Sequence, residues 1–194
     1  MGEKGEEAMA TLTENPARPF TFADLDEAPD DGRRWELIAG SLVVSPSPFG
    51  AHQWCVGRVY RLLDDASTSD TAVLPAPYDW RVEATEESFR PDVVVIRRTD
   101  FDPAGHLRST PLLVAEVVSP GGGVPDHTLK RDRYEALGIP SYWIVDPAKP
   151  SLTELRLSGN GRYVEWATVT GEETFATDRP FGVEVTPAAL SRSG

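Results

Sequence analysis

Apolar residues along the chain fall into short runs, each closed by a polar, proline-bearing or glycine-bearing stretch. In HQWCVGRVYRLLDDA, Cys55, Val59, Leu62 and Leu63 recur at helical spacing, which predicts an amphipathic helix over 51–66. PDVVVIRR (91–98), PLLVAEVVS (111–119) and SYWIVDP (141–147) are continuous apolar runs too short for helices and rich in β-branched residues. They predict strands buried on both faces. TAVLPAPYDWRVEA (71–84) alternates but is bent by Pro75 and Pro77, which suits an edge or bulged strand.

The flanks carry turn signals. RRWELI and SLVVS around Ala39-Gly40 predict a β-hairpin, and SLTELRLSGNGRYVEWATVT predicts another, turning at Gly159-Asn160-Gly161, with one further strand in PFGVEV. TFADLDEAPDDG predicts a short helix with a Thr21–Asp24 capping box, ended by Pro29 and Gly32. DHTLKRDRYEALG predicts a helix stopped by Gly138. SPSPFG and SPGGGVP are expected to be loops, the second flexible. The middle of the chain thus runs helix, strand, strand, strand, helix, strand. Short links between the three strands favour an antiparallel meander, and the strand after the second helix is free to pair in parallel.

The 194 residues suit one domain with an appendage. We expect residues 1–19 to be a disordered segment and 20–190 the folded domain. No apolar run approaches the roughly 20 residues of a membrane span, and the N-terminus lacks a signal-peptide pattern. Cys55 is the single cysteine, so neither a disulfide framework nor a thiolate zinc site is available, and a cytoplasmic protein is expected. The net charge of −12 counts against a free-standing, tight duplex-DNA binder, which would need a local basic patch, bound cations or a partner.

Two carboxylates interrupt the buried strands. Asp92, stiffened by Pro91, opens the first run, and Glu116 lies inside LLVAEVV. If these runs pair antiparallel about a loop centred near residue 104, Asp92 faces Glu116 on one face of the sheet. Two buried carboxylates side by side require either a shared proton or a cation between them. Hard oxygen donors in a partly filled site suit Mg²⁺ or Mn²⁺. Val118 shares the face of Glu116 and carries no charge, whereas Lys130 on the following helix, beside Arg131 and Arg133, offers one. A metal and a lysine together would give the charge stabilisation that phosphodiester cleavage requires.

Several segments, in order, are WELIAGSLVVSPSP, HQ, PDVVVI, AEVVSP, the D-x-x-x-K-x-x-x-Y pattern of DHTLKRDRY, and LGIPSYWIVDP. Together they resemble the "putative restriction endonuclease" family, domain of unknown function 820, within the PD-(D/E)XK nuclease superfamily. The resemblance spans roughly residues 20 to 190. It implies an α/β fold, a restriction-endonuclease-like core with added N- and C-terminal β-hairpins, and a metal-dependent endonuclease acting on nucleic acid, DNA in the first place. Carried over residue by residue, Asp92 and Glu116 are metal ligands, Lys130 is the catalytic lysine, and Glu36 of the opening hairpin reaches the same centre. Val118 departs from the superfamily's short motif, where a lysine stands, and Lys130 is the substitute. A homodimer would bring two centres to the two strands of a duplex.

Each residue also has a plainer reading. Asp92 could cap a strand end, Glu116 could pair with an arginine, Lys130 could be solvated, and Glu36 could face water. His52, His106 and His127 show no zinc spacing; for His52 a place lining the site stands as the alternative to a structural role, which is the first expectation. Gly121-Gly122-Gly123 lacks the lysine of a phosphate loop, and no G-x-S-x-G elbow supports a serine hydrolase. Two rival functions therefore stay open: a nuclease-fold binding or regulatory module without turnover, and a hydrolase of another phosphorylated substrate.

Overall fold

The structure is a computed structural model that describes residues 11–13, 17–45, 50–119 and 124–191, the side chains of 124–127 excepted. In chain order its elements are β1 (Thr11–Thr13), α1 (Phe22–Asp26), β2 (Arg34–Ile38), β3 (Ser41–Ser45), α2 (Gly50–Ala66), β4 (Thr71–Pro75), β5 (Trp80–Val82), β6 (Glu87–Phe89) and β7 (Val93–Arg97). There follow β8 (Leu113–Val117), α3 (Val124–Ala136), β9 (Ser141–Asp146), β10 (Ser151–Leu157), β11 (Tyr163–Thr170), β12 (Phe175–Thr177), β13 (Val183–Val185) and α4 (Pro187–Ser191). The fold is mixed α/β with several sheets.

A six-stranded sheet in the order β11-β10-β9-β8-β7-β4 forms the centre. β4, β7 and β8 are antiparallel neighbours as expected, but the link from β4 to β7 is no short loop, since β5 and β6 lie within it. β4 is at the edge, where Pro75 removes no ladder bond. β8 and β9 are parallel, a pairing that needs a crossover, and α3 provides it. One face of this sheet presents Val93, Val95, Leu113, Ala115, Val117, Trp143 and Val145 to α2, β13 and α4. Cys55, Val56, Val59 and Leu63 of α2 form the facing stripe. Burial pushes the Cys55 thiol up to about 12, so it serves as packing.

The opposite face carries Val94, Ile96, Val114 and Tyr142, and packs on Tyr134 of α3 and on Ile38, Val43, Trp80 and Phe89. Those last four belong to a second sheet, β1-β3-β2-β6-β5, antiparallel throughout. The 71–84 segment is therefore not one bent strand. After β4 the chain crosses to the second sheet as β5, and β6 joins it by pairing with β2.

Two further expectations change. Thr11–Thr13, placed within the disordered 1–19 segment, form a strand on the edge of the second sheet. The hairpin β10–β11 is part of the central sheet rather than an addition to it, while β12 and β13 pair separately as a two-stranded sheet. The opening hairpin turns as expected at Ala39 and Gly40, both with positive φ (49° and 75°), the geometry of a two-residue turn that follows strand twist. The Asp24 carboxylate accepts the Thr21 backbone N–H at 2.7 Å and hydroxyl at 2.8 Å, fixing the start of α1. The loops read into SPSPFG (residues 46–49) and into Gly121-Gly122-Gly123 lie outside the described residues. No described helix is long and apolar enough to cross a membrane.

Candidate active site

The carboxylates meet where the two sheets and α3 converge. The β7–β8 ladder pairs Val95 with Leu113, Val94 with Val114 and Val93 with Ala115, so the next pair outward is Asp92 with Glu116. The register read from the sequence is the one found. Both are almost wholly buried.

Asp92 sits at the mouth of β7 and every contact it makes comes from another element. Its Oδ2 accepts the Val117 backbone N–H at 2.8 Å and lies 3.2 Å from His52 Nε2 on α2. Its Oδ1 is 2.5 Å from Arg34 Nη2, on β2. Burial works against the ionised form, but the Arg34 guanidinium, His52 and the Val117 N–H outweigh it and hold the carboxyl well below the usual range.

Glu116 has the opposite balance. Its Oε1 accepts the Tyr134 hydroxyl at 2.7 Å and lies 3.1 Å from Lys130 Nζ, and its Oε2 is 4.0 Å from Arg34 Nη1. Burial pushes this carboxyl up, to about 7. Lys130 opposes that rise, the nearby Asp92 and Glu36 carboxylates add to it, and Arg34 lowers it slightly.

Lys130 and Glu36 complete the cluster. Lys130 lies on α3 one turn before Tyr134, so the two side chains share a face, and only 2% of the lysine is exposed. Besides Glu116, its Nζ stands 2.9 Å from Glu36 Oε2, an ion pair whose angle is poor for a hydrogen bond. Glu36 follows Arg34 by two residues on β2, hence the same sheet face, and its Oε1 accepts the Arg90 backbone N–H at 2.8 Å. That bond ties the second sheet to the segment that delivers Asp92. Of the plainer readings, solvation fails for Lys130 and Glu36: both are buried and face each other.

A fourth buried carboxylate, outside the cluster, braces the site. Glu87 accepts Arg133 Nε and Nη2 at 2.8 and 2.6 Å, the Thr85 hydroxyl at 2.7 Å and the Ala39 N–H at 3.0 Å. It fastens α3 to the β2–β3 turn, which fixes the height of Lys130.

Sequence reasoning assigned no role to Arg34, Tyr134 or Glu87, and ranked a site-lining role for His52 below a structural one, whereas His52 stands against Asp92. Tyr134 had a visible signal, since the D-x-x-x-K-x-x-x-Y pattern sets it one turn from Lys130. Arg34 had none, because an arginine opening an edge hairpin reads as solvated. His106 lies elsewhere, in a small cavity with Asp100, Asp102, Arg108 and Ser109, and the side chain of His127 lies outside the described residues. Asp146 accepts the Ala148 and Lys149 N–H groups and so forms a turn. The Val118 N–H is spent on the Val145 carbonyl at 2.8 Å.

Among the described residues no three His, Cys, Asp or Glu side chains form a ready-made metal cage. The donors fit a hard ion all the same, since Mg²⁺ keeps much of its water and is commonly bound through one or two carboxylates. Asp92 and Glu116 would supply them, with Glu36 engaged by Lys130.

Comparison with known proteins agrees with this architecture. No curated protein matches the sequence. Among solved structures, a putative nuclease belonging to DUF820 from Anabaena variabilis superposes with a TM-score of 0.70 at 15% identity, covering 89% of this chain and 98% of that one. At that identity the likeness shows the fold. A family model described as "Putative restriction endonuclease" matches residues 22–190, and the chain therefore belongs to the Uma2 family.

Proposed function

We propose that the chain is a metal-dependent endonuclease that hydrolyses phosphodiester bonds of DNA at the cluster of Asp92, Glu116, Lys130 and Glu36. The observation that carries this reading is their convergence: four elements, β2, the start of β7, β8 and α3, bring three carboxylates and one ammonium together in a buried recess. Membership of the family, and the order α2, β4, β7, β8, α3, β9, support a restriction-endonuclease-like core.

Asp92 and Glu116 would hold Mg²⁺ or Mn²⁺, which supplies Lewis-acid polarisation of the scissile phosphate and lowers the cost of deprotonating water. The chain's own residues do the rest. Lys130 presents an ammonium beside Glu116, where negative charge develops on the phosphoryl oxygens, and Glu36 keeps it there. The Tyr134 hydroxyl holds Glu116 by its Oε1, which leaves Oε2 facing Arg34. Val117 and His52 fix Asp92 in the same way. Two centres in a homodimer would serve the two strands of a duplex.

A non-catalytic binding module is the second reading. It is favoured by the Arg34–Asp92 ion pair, which already neutralises one proposed ligand, and by the net charge of −12. One assay separates the two: plasmid nicking with Mn²⁺ by the parent, Asp92→Asn and Glu116→Gln. The nuclease predicts nicking by the parent and a loss of about 10²-fold or more in both variants. Equal trace activity in all three would favour the module.

A further inference from the structure

Arg34 is a half-buried cation that the proposed reaction leaves without a task. Its Nη2 lies 2.5 Å from Asp92 Oδ1 and its Nη1 4.0 Å from Glu116 Oε2, so one guanidinium faces both carboxylates assigned to the ion. The other oxygen of Asp92 is taken by the Val117 N–H and faces His52. The other oxygen of Glu116 is taken by Tyr134 and Lys130. The two oxygens that remain for a metal are therefore the two that Arg34 faces. Its side chain is 16% exposed, against 3% for Lys130, so of the two cations Arg34 is the nearer to solvent.

We propose that Arg34 competes with the divalent ion for Asp92 Oδ1 and Glu116 Oε2, and so sets how tightly the site binds metal. The inference rests on the metal-dependent reading above. Its physical basis is charge: a guanidinium and a divalent cation repel each other, and neither shares a buried carboxylate pair with the other without loss. A phosphodiester relieves that repulsion, because its oxygens accept the guanidinium fork and the metal together. Substrate binding and metal binding then strengthen each other, a coupling that must act equally in both directions.

The test is Mn²⁺ binding to the full chain, read from the electron paramagnetic resonance signal of the free ion, for the parent and for Arg34→Met without nucleic acid. The variant is expected to bind about tenfold tighter or more, the scale on which a neighbouring unit charge shifts a carboxylate equilibrium. Equal or weaker binding by a folded Arg34→Met overturns the competition while leaving the metal site standing. Absence of Mn²⁺ binding by both proteins overturns the metal-dependent reading, and the competition falls with it. If Arg34→Met does not fold, the parent decides. Mg²⁺ is then expected to shift the Arg34 Nε–H resonance together with the Val117 amide, and a Val117 shift with an unmoved Arg34 overturns the inference.

Discussion

Glu116 is surrounded by Lys130, Tyr134, Asp92, Glu36 and Arg34, and the balance among them governs its proton. With its carboxyl pushed up to about 7 from an ordinary 4.5, the folded protein binds more protons than the unfolded chain between those values. The sign follows: this stabilisation is fully present below pH 4.5 and is lost as the pH rises through about 7. Urea unfolding across pH should therefore show the parent losing on the order of 3 kcal/mol relative to Glu116→Gln between pH 4.5 and 8. Parallel stability curves would contradict it. Asp92 acts with the opposite sign, since its carboxyl is held low and its contribution disappears only as the pH falls through the acid range. At this scale the sequence told where the acids stand but not what surrounds them. Asp92 and Glu116 stood out because carboxylates inside apolar runs are costly. Lys130 was singled out by the D-x-x-x-K-x-x-x-Y pattern but its burial was not, and Arg34 was missed altogether, because a charged residue on an amphipathic element has no pattern that separates burial from solvation.

The β2–β3 hairpin delivers two of the residues at the site, Arg34 and Glu36, so its turn matters beyond its size. Ala39 sits at φ 49° and Gly40 at φ 75°. Only glycine takes both positions without strain. Ala39→Gly should raise stability by about 0.5–1 kcal/mol, the relief of left-handed strain less the entropy that glycine adds to the unfolded chain. Gly40→Ala should lower it by about 1–3 kcal/mol, because a Cβ there carries that strain and would also stand 2.8 Å from Pro19 Cβ. Unfolding midpoints in urea check both, and a destabilised Ala39→Gly would mean that the turn is not the strained one described. Longer elements were legible from periodicity alone: the buried strands, α2, and the pairing register that sets Asp92 against Glu116. β5 and β6, three residues each, were not. β6 pairs with β2 through Leu37 and Ser88, far apart in sequence, β5 joins only through β6, and strands so short carry too few positions to show alternation.

For the whole molecule the question is how a chain of net charge −12 approaches a polyanion. Three arginines that line a cavity beside the second sheet do not provide a free basic surface. Arg33 is paired with Asp31, Arg81 with Asp26 and Arg90 with Asp79. Composition raised the need for a cation, and on the proposed reading the packed structure offers it a place between Asp92 and Glu116, at the junction of both sheets and α3. The central claim, that these two carboxylates hold one divalent ion, is tested most directly by crystals grown with Mn²⁺ and read by anomalous difference density. The account predicts a peak in direct contact with an oxygen of Asp92 and an oxygen of Glu116, and none there in Asp92→Asn. A parent crystal without that peak, or with manganese bound elsewhere and the Arg34–Asp92 pair intact, would contradict it.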